Sequence, residues 1–259
     1  MSICSPNGAV YRIPREFPGW KGTKLVVALA QGTPWLLVVR ADLPAKQGDL
    51  SAIKGLRLRA GKGPVEALKQ MTIRAGILPG RDFEILVDLP ETRGRDVSFG
   101  VSAARALEAG LIDGFWGNAL GAETVVESCA GKILIDVRRG DDPADVRHFS
   151  LAALATTDTY LERNPAGVEA GVRAIVKAQR MLRADPSLAQ KIGQGKFPPD
   201  SAELIVRTIQ RDVEFYDPVI TEEAVANMNA FAQTIGYLAG PVPYDQVVDV
   251  RFRQCWTQP

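Results

Sequence analysis

Two glycines flank a lysine just before a predicted helix, in the segment Gly61-Lys62-Gly63-Pro64-Val65. A strand predicted over residues 56–60 ends at this turn, and proline suits the first turn of the helix expected over 64–75. The first N–H groups of a helix have no partner inside it and attract anions. The segment therefore predicts an anion site, although a purely structural turn explains the same residues equally well. Its spacing fits neither a P-loop nor the G-x-G-x-x-G pattern.

Two further polar interruptions lie beside predicted strands. Gln31, Thr33 and Pro34 separate apolar runs at 24–30 and 35–40, where they suit either ligand contacts or a tight turn. Trp116 ends the strand predicted over 112–116 and Asn118 follows it, and ligands of open α/β sheets bind at strand ends of this kind. Trp116 would supply an apolar wall and Asn118 a polar contact. The alternative is a buried tryptophan that closes the core.

An arginine pair precedes a turn in Arg138-Arg139-Gly140-Asp141-Asp142. Arg139 would supply a cation to an anionic ligand. The competing interpretation is a solvated hinge whose charges are partly paired with each other. Arg93 and Arg95 have the same two interpretations.

The composition argues against several classes of protein. The 259 residues hold 31 basic and 30 acidic side chains with no basic run, which argues against a nucleic-acid partner. Three separated cysteines and the single His148 predict no metal site, no cofactor and no catalytic residue. No apolar run is long enough for direct membrane insertion. Residues 1–23 contain no apolar core of a signal peptide, so the sequence read by itself predicts a cytoplasmic protein.

Strands alternate with helices through the middle of the chain, which predicts an α/β fold with a mostly parallel sheet. Residues 1–22 are expected to be irregular, whereas the chain beyond residue 157 reads as almost wholly helical, including one helix over 244–256. We expect lobe one to comprise 1–41 and 143–259, and lobe two to comprise 42–142. A chain that passes twice between lobes is a hinge architecture with a ligand cleft.

Several stretches together resemble one family. They are VALAQGTPWLLVVRADL (27–43), DLSAIKGLRLRAGKGPVEALKQMTIRAGI (49–77), ALEAGLIDGFWGNALGAE (106–123) and the block 173–256. In order and spacing they resemble the substrate-binding proteins of ABC importers for nitrate, sulfonate and taurine, which are related to the thiamine-pyrimidine precursor-binding proteins. No single motif is diagnostic.

The resemblance implies a type II periplasmic-binding-protein fold with a double-crossover hinge, and delivery of a small anion, sulfonate or organic acid to a membrane permease. It implies that Gly63, Pro64 and Val65 meet the ligand's anionic group, that Trp116 and Asn118 face the cleft, and that Gln31, Thr33 and Pro34 contribute from lobe one. It also implies a periplasmic location. Family members carry a further strand-helix-strand unit, so the resemblance implies that the first lobe is incomplete.

Two other functions fit the same fold. An enzyme related to pyrimidine synthases or small decarboxylases would need a catalytic histidine or a cysteine cluster, and His148 is the only histidine. A regulatory sensor would need a DNA-binding segment, for which residues 1–23 are too short and too rich in proline. A transport receptor without catalysis is therefore the favoured interpretation.

Overall fold

The computed structural model describes residues 1–4, 6–17, 19–20, 22–88, 98–142, 146–196 and 199–257, so Arg93 and Arg95 lie outside the described residues. The chain divides into two compact units. The first unit comprises Met1–Thr33, His148–Ala202 and Ile209–Pro259, and the second comprises Pro34–Arg147 and Glu203–Thr208.

The regular elements follow the predicted order of strands and helices. The strands are β1 (Ser2–Cys4), β2 (Thr23–Ala30), β3 (Leu36–Arg40), β4 (Arg57–Ala60), β5 (Glu84–Leu86), β6 (Gly114–Gly117), β7 (Gly131–Asp136) and β8 (Ala152–Thr157). The α-helices are α1 (Ile13–Glu16), α2 (Val65–Arg74), α3 (Phe99–Glu108), α4 (Ala119–Glu127), α5 (Asp158–Arg163), α6 (Pro165–Ala184), α7 (Leu188–Gly193), α8 (Pro199–Asp212), α9 (Glu222–Thr234), α10 (Tyr244–Val247) and α11 (Arg253–Thr257). Short 3-10 helices include Leu50–Ile53, Val137–Arg139, Val146–His148, Val213–Phe215 and Val250–Phe252.

The second unit is built on a five-stranded sheet in the order β5-β4-β6-β3-β7. Strand β4 is parallel to β5 and β6, whereas β3 is antiparallel to both β6 and β7. The expected mostly parallel sheet is therefore mixed. Helices α3 and α4 cover one face, where small residues such as Ala103 and Ala122 pack against Val38 and Phe115.

The observed unit boundaries differ from the lobe boundaries expected at 41 and 143. Strand β3 is a run of buried aliphatic residues, and its backbone groups find partners by pairing with β6 and β7. The second unit therefore begins at Pro34. It continues to Arg147, and it also includes Glu203–Thr208.

The first unit contains a three-stranded sheet in the order β1-β8-β2, with β8 antiparallel to both neighbours. Buried residues of α6 and α9, such as Val172 and Met228, pack with Leu25 and Trp256 into one core. Its central strand is thus antiparallel to both neighbours, as β3 is to β6 and β7 in the other sheet. The expectation that the first lobe lacks an N-terminal unit stays a prediction.

Two segments of the first unit differ from their predicted structure. The supposedly irregular residues 1–22 include β1, α1 and a π-helix over Asn7–Arg12. The amide of Asn7 donates to the carbonyl of Phe149 at 2.8 Å, which fixes the start of that π-helix. The single helix expected over 244–256 is interrupted because Val248 bridges to Leu25 of β2 in an extended conformation.

The hydroxyl of Tyr11 is buried without a hydrogen-bond partner among the described residues, and burial raises its pKa. A buried polar group without a partner costs about 1–3 kcal/mol. We therefore expect Tyr11→Phe to raise the free energy of unfolding by about 1 kcal/mol, measured by urea denaturation.

The matched control is Tyr244→Phe, because the hydroxyl of Tyr244 donates to the carbonyl of Ile220 at 2.5 Å. This substitution removes a satisfied hydrogen bond and is expected to destabilise the chain. Equal destabilisation by both substitutions would contradict the assignment of Tyr11.

Candidate functional site

The turn between β4 and α2 presents backbone donors at a helix start. The N–H of Val65 is already bound by the carbonyl of Gly61 at 2.9 Å, and that of Ala67 by the carbonyl of Pro64 at 3.1 Å. Among the described residues, the N–H groups of Lys62, Gly63 and Glu66 have no acceptor. Lys62 and Gly63 are exposed. The N-terminal end of this ten-residue helix can therefore bind an anion.

Side-chain charges around the turn leave these donors available. Glu66 lies in the first turn of α2, but its carboxylate pairs with Lys69 at 2.9 Å on the same helix. Opposite charges close together reduce the field that either exerts at a distance. The side chain of Lys62 is exposed and adds a positive charge at the turn.

The conformation of the turn does not require its two glycines. Neither Gly61 nor Gly63 has a positive φ. A Cβ atom added at Gly63 would meet no atom within 4 Å, and one added at Gly61 would make ordinary contacts with Pro64 and Phe99. The open space beside Gly63 would let a ligand approach the backbone closely.

Trp116 fixes this turn by a hydrogen bond from the buried core. It lies on β6, is fully buried, and pairs with Ala60 of β4 and Leu37 of β3. Its indole N–H donates to the carbonyl of Pro64 at 3.0 Å. The structure therefore places Trp116 in the core, where it fixes the start of α2, and a ligand contact from Trp116 stays a prediction.

Asn118 has a local structural role at the next helix. Its side-chain oxygen accepts the N–H of Gly121 at 3.2 Å and so caps α4. Beside it, a Cβ at Gly121 would lie 2.6 Å from the carbonyl oxygen of Gly100, so α3 and α4 approach too closely for a larger residue. A ligand contact from Asn118 stays a prediction.

Three residues were predicted to contact the ligand from lobe one. The side-chain amide of Gln31 donates to the carbonyls of Asp217 and Val219 at 3.0 and 2.7 Å. Thr33 is fully buried at the end of the first unit. Pro34 is partly exposed and opens the second unit. The amide of Gln31 is thus already used, and ligand contacts from these residues stay predictions.

Arg139 lies in a turn where its positive charge is paired with a neighbouring carboxylate. Its guanidinium pairs with the buried carboxylate of Asp136 at 2.9 Å. Asp141 accepts the N–H of Asp136 at 2.8 Å and the side-chain amide of Gln47 at 2.6 Å. This arrangement favours the paired-hinge interpretation, and a ligand contact from Arg139 stays a prediction.

One residue near the candidate site was missed. Arg59 lies on β4, is 7% exposed, and donates to the hydroxyl of Ser102 at 2.8 Å. Its guanidinium lies 5.0 Å from the ring centroid of Phe99, and burial lowers its pKa while nearby Asp88 raises it. The sequence does contain a signal for Arg59, since this arginine lies between apolar residues inside a predicted strand. It places a buried positive charge two residues before the turn.

The groups that other chemistries need are not brought together in the described part of the chain. No cluster of three or more histidine, cysteine or acidic side chains suited to a metal occurs there. His148 is exposed, as is Cys129, whereas Cys255 is buried in the core of the first unit. None of the described helices is long and apolar enough to span a membrane.

Comparisons with known proteins find solved structures of similar fold. No protein family model matches the chain, and no curated protein sequence does. Among solved structures, the chain is similar to the periplasmic aliphatic sulphonate-binding protein SsuA from Escherichia coli, with a TM-score of 0.65 and 12% identity over 99% of this chain and 80% of that one. It is also similar to the periplasmic nitrate-binding protein NrtA from Synechocystis, with a TM-score of 0.66 and 13% identity over 98% and 72% of the two chains.

An enzyme shares the same fold. The desulfurization enzyme DszB, solved as a variant in complex with biphenyl-2-sulfinic acid, matches with a TM-score of 0.66 and 16% identity over 97% of this chain and 83% of that one. The chain therefore has the α/β fold of the periplasmic sulfonate- and nitrate-binding proteins, which confirms the fold class that the resemblance implied. Fold alone does not define what the site binds.

The hydrogen bond from Trp116 to Pro64 can be tested by Trp116→Phe. Loss of the bond and of ring volume is expected to lower the free energy of unfolding by roughly 2–4 kcal/mol. It should also speed amide hydrogen exchange in the first turn of α2.

The matched control is Trp256→Phe. Trp256 is equally buried, and its indole N–H donates to the carbonyl of Val26 at 3.0 Å in the other unit. This variant should lose stability without changing exchange in α2 relative to the rest of the second unit. An unchanged exchange rate in α2 of Trp116→Phe would refute the bracing role.

Proposed function

We propose that the chain is a solute-binding component of an ABC importer, and that it binds a small anion at the N-terminus of α2. The observation that carries the proposal is the set of N–H groups at Lys62, Gly63 and Glu66 that have no acceptor in the described part of the chain, beside the open surface of Gly63. Nitrate, sulfonates and carboxylates all present oxygens that accept such donors.

The bracing of the turn supports this assignment. Trp116 fixes Pro64, and the helix that follows is anchored by buried Val65 and Leu68. Donors that are already held in place lose little conformational entropy when a ligand binds, so less of the binding energy is spent on ordering. The buried guanidinium of Arg59 lies on the same strand, and nearby Asp88 offsets part of its positive charge.

The fold favours a receptor that works with a permease. The similar structures include proteins named for binding sulphonates and nitrate in the periplasm. By analogy we infer a periplasmic location, a membrane permease as partner, and no catalysis, cofactor or nucleic acid. Ligand contacts from Gln31, Thr33, Pro34, Asn118 and Arg139 stay predictions.

An enzyme is the second candidate, because DszB has the same fold. The single histidine and the described cysteines do not form a cluster that would activate a nucleophile. Incubation with biphenyl-2-sulfinic acid separates the two functions. Binding with quantitative recovery of the compound is expected of a receptor, and repeated turnover of the compound would favour the enzyme.

The anion site can be tested with a panel of nitrate, alkyl sulfonates, aryl sulfonates and carboxylates, scored by ligand-dependent melting shifts and titration calorimetry. We expect Gly63→Ala to fold with equal or slightly higher stability, because its Cβ meets no atom and alanine restricts the unfolded chain. The new methyl group should nevertheless weaken binding of the best anion by about tenfold or more.

The matched control is Gly240→Ala, another exposed glycine with an ordinary φ whose added Cβ would meet no atom within 4 Å. It should likewise have equal or slightly higher stability, and it should leave affinity unchanged. If no anion of the panel binds, or if Gly63→Ala binds as tightly as the unmodified chain, the proposed site is wrong.

A further inference from the structure

We propose that the first unit contains a second ligand site, a cavity that binds a small organic monoanion. The cavity has a volume of about 200 Å³ and is lined by the C-terminal half of α6, the segment 216–218 and Trp256. All of these residues belong to the first unit. The proposal is therefore independent of the turn before α2, which belongs to the second unit.

The size of the cavity limits the ligand. A cavity of about 150 Å³ is enough to hold benzene. The observed volume therefore suits one ring or a short branched chain with one charged group. The side chains of Val176, Tyr216, Pro218 and Trp256 offer apolar surface for such a body.

The walls of the cavity are fixed to one strand. The amide of Gln179 donates to the carbonyls of Ala28 and Leu29 at 2.9 and 2.8 Å. The indole N–H of Trp256 donates to Val26 at 3.0 Å, and the carbonyl of Pro218 accepts the N–H of Ala28 at 3.0 Å. Since β2 holds every wall, a ligand would bind a site that is already formed.

Two arginines on the cavity supply positive charge. Arg180 and Arg183 lie one helical turn apart on α6. Arg183 donates to the carbonyl of Tyr216 at 3.0 Å, and Arg180 makes a long contact of 3.5 Å with the carbonyl of Trp256. In the described residues neither arginine has a carboxylate partner, whereas Arg173 on the same helix pairs with Glu169 at 2.7 Å. A guanidinium has five N–H donors, so donors remain for an anion.

Asp217 determines which anions fit. It is the one acidic residue among those that line the cavity, and one of its carboxylate oxygens accepts the N–H of Val219 at 2.9 Å. Its negative charge would repel a second anionic group, because like charges at close range are unfavourable. The cavity should therefore take a monoanion whose charged group contacts the arginines and whose other end is neutral.

Benzoate is the probe, and binding is measured by calorimetry and by the NMR shift of the Trp256 indole N–H. We expect benzoate to bind and to move that resonance. Replacing Arg180 and Arg183 together with glutamine should weaken binding at least tenfold, and terephthalate, with its second carboxylate, should bind at least tenfold more weakly than benzoate. Lys177→Gln, on an exposed position of the same helix outside the cavity lining, is the control and should bind normally.

The outcome is separable from that of the proposed function. Gly63→Ala should bind benzoate at the cavity as the unmodified chain does. The cavity proposal is overturned if benzoate leaves the Trp256 indole unmoved, or if a folded double arginine variant binds it with unchanged affinity. If the double variant does not fold, Arg183→Gln alone, which should still weaken binding severalfold, and the comparison with terephthalate decide between the outcomes.

Discussion

The hydrogen bond from the indole of Trp116 to the carbonyl of Pro64 joins the sheet of the second unit to the start of α2. Strand β6 places the indole because Trp116 pairs with β3 on one side and β4 on the other. The turn that follows β4 is thereby held at a fixed position. Among the described residues the N–H groups of Lys62, Gly63 and Glu66 have no acceptor, so they are available to an anion. Trp116 thus fixes the position of the turn whose N–H groups we propose as the anion site.

Other candidate residues use their polar side chains to stabilise the protein itself. Asn118 caps α4, the amide of Gln31 fastens the end of β2, and Arg139 neutralises buried Asp136. Each uses its polar atoms to satisfy a neighbouring backbone or charged group, because a buried polar atom without a partner is costly. Gly63 differs from them, since nothing in its own unit requires a glycine there. The open space beside Gly63 is therefore available to a ligand.

Many of the helices and strands could be predicted because the local sequence favours the same structure that their tertiary contacts require. The structure confirms the helical character expected beyond residue 157, as in α6, and the helix expected after the proline at residue 64. The unit to which β3 belongs could not be predicted, because strand pairing is a long-range choice that an apolar run does not reveal. Likewise, the sequence placed Trp116 at a strand end but could not show which atom its indole N–H would contact. Arg59 was overlooked because its partner Ser102 lies on a distant helix.

An NMR titration of the isotope-labelled chain with the anion that raises its melting temperature most tests whether the N-terminus of α2 is the site. We expect the backbone amide resonances of Lys62, Gly63 and Glu66 to move most and to saturate together, with the Trp116 indole hydrogen bond retained throughout. If the anion saturates the protein while those three amides stay in place, the anion binds elsewhere and the N-terminus of α2 is not the site.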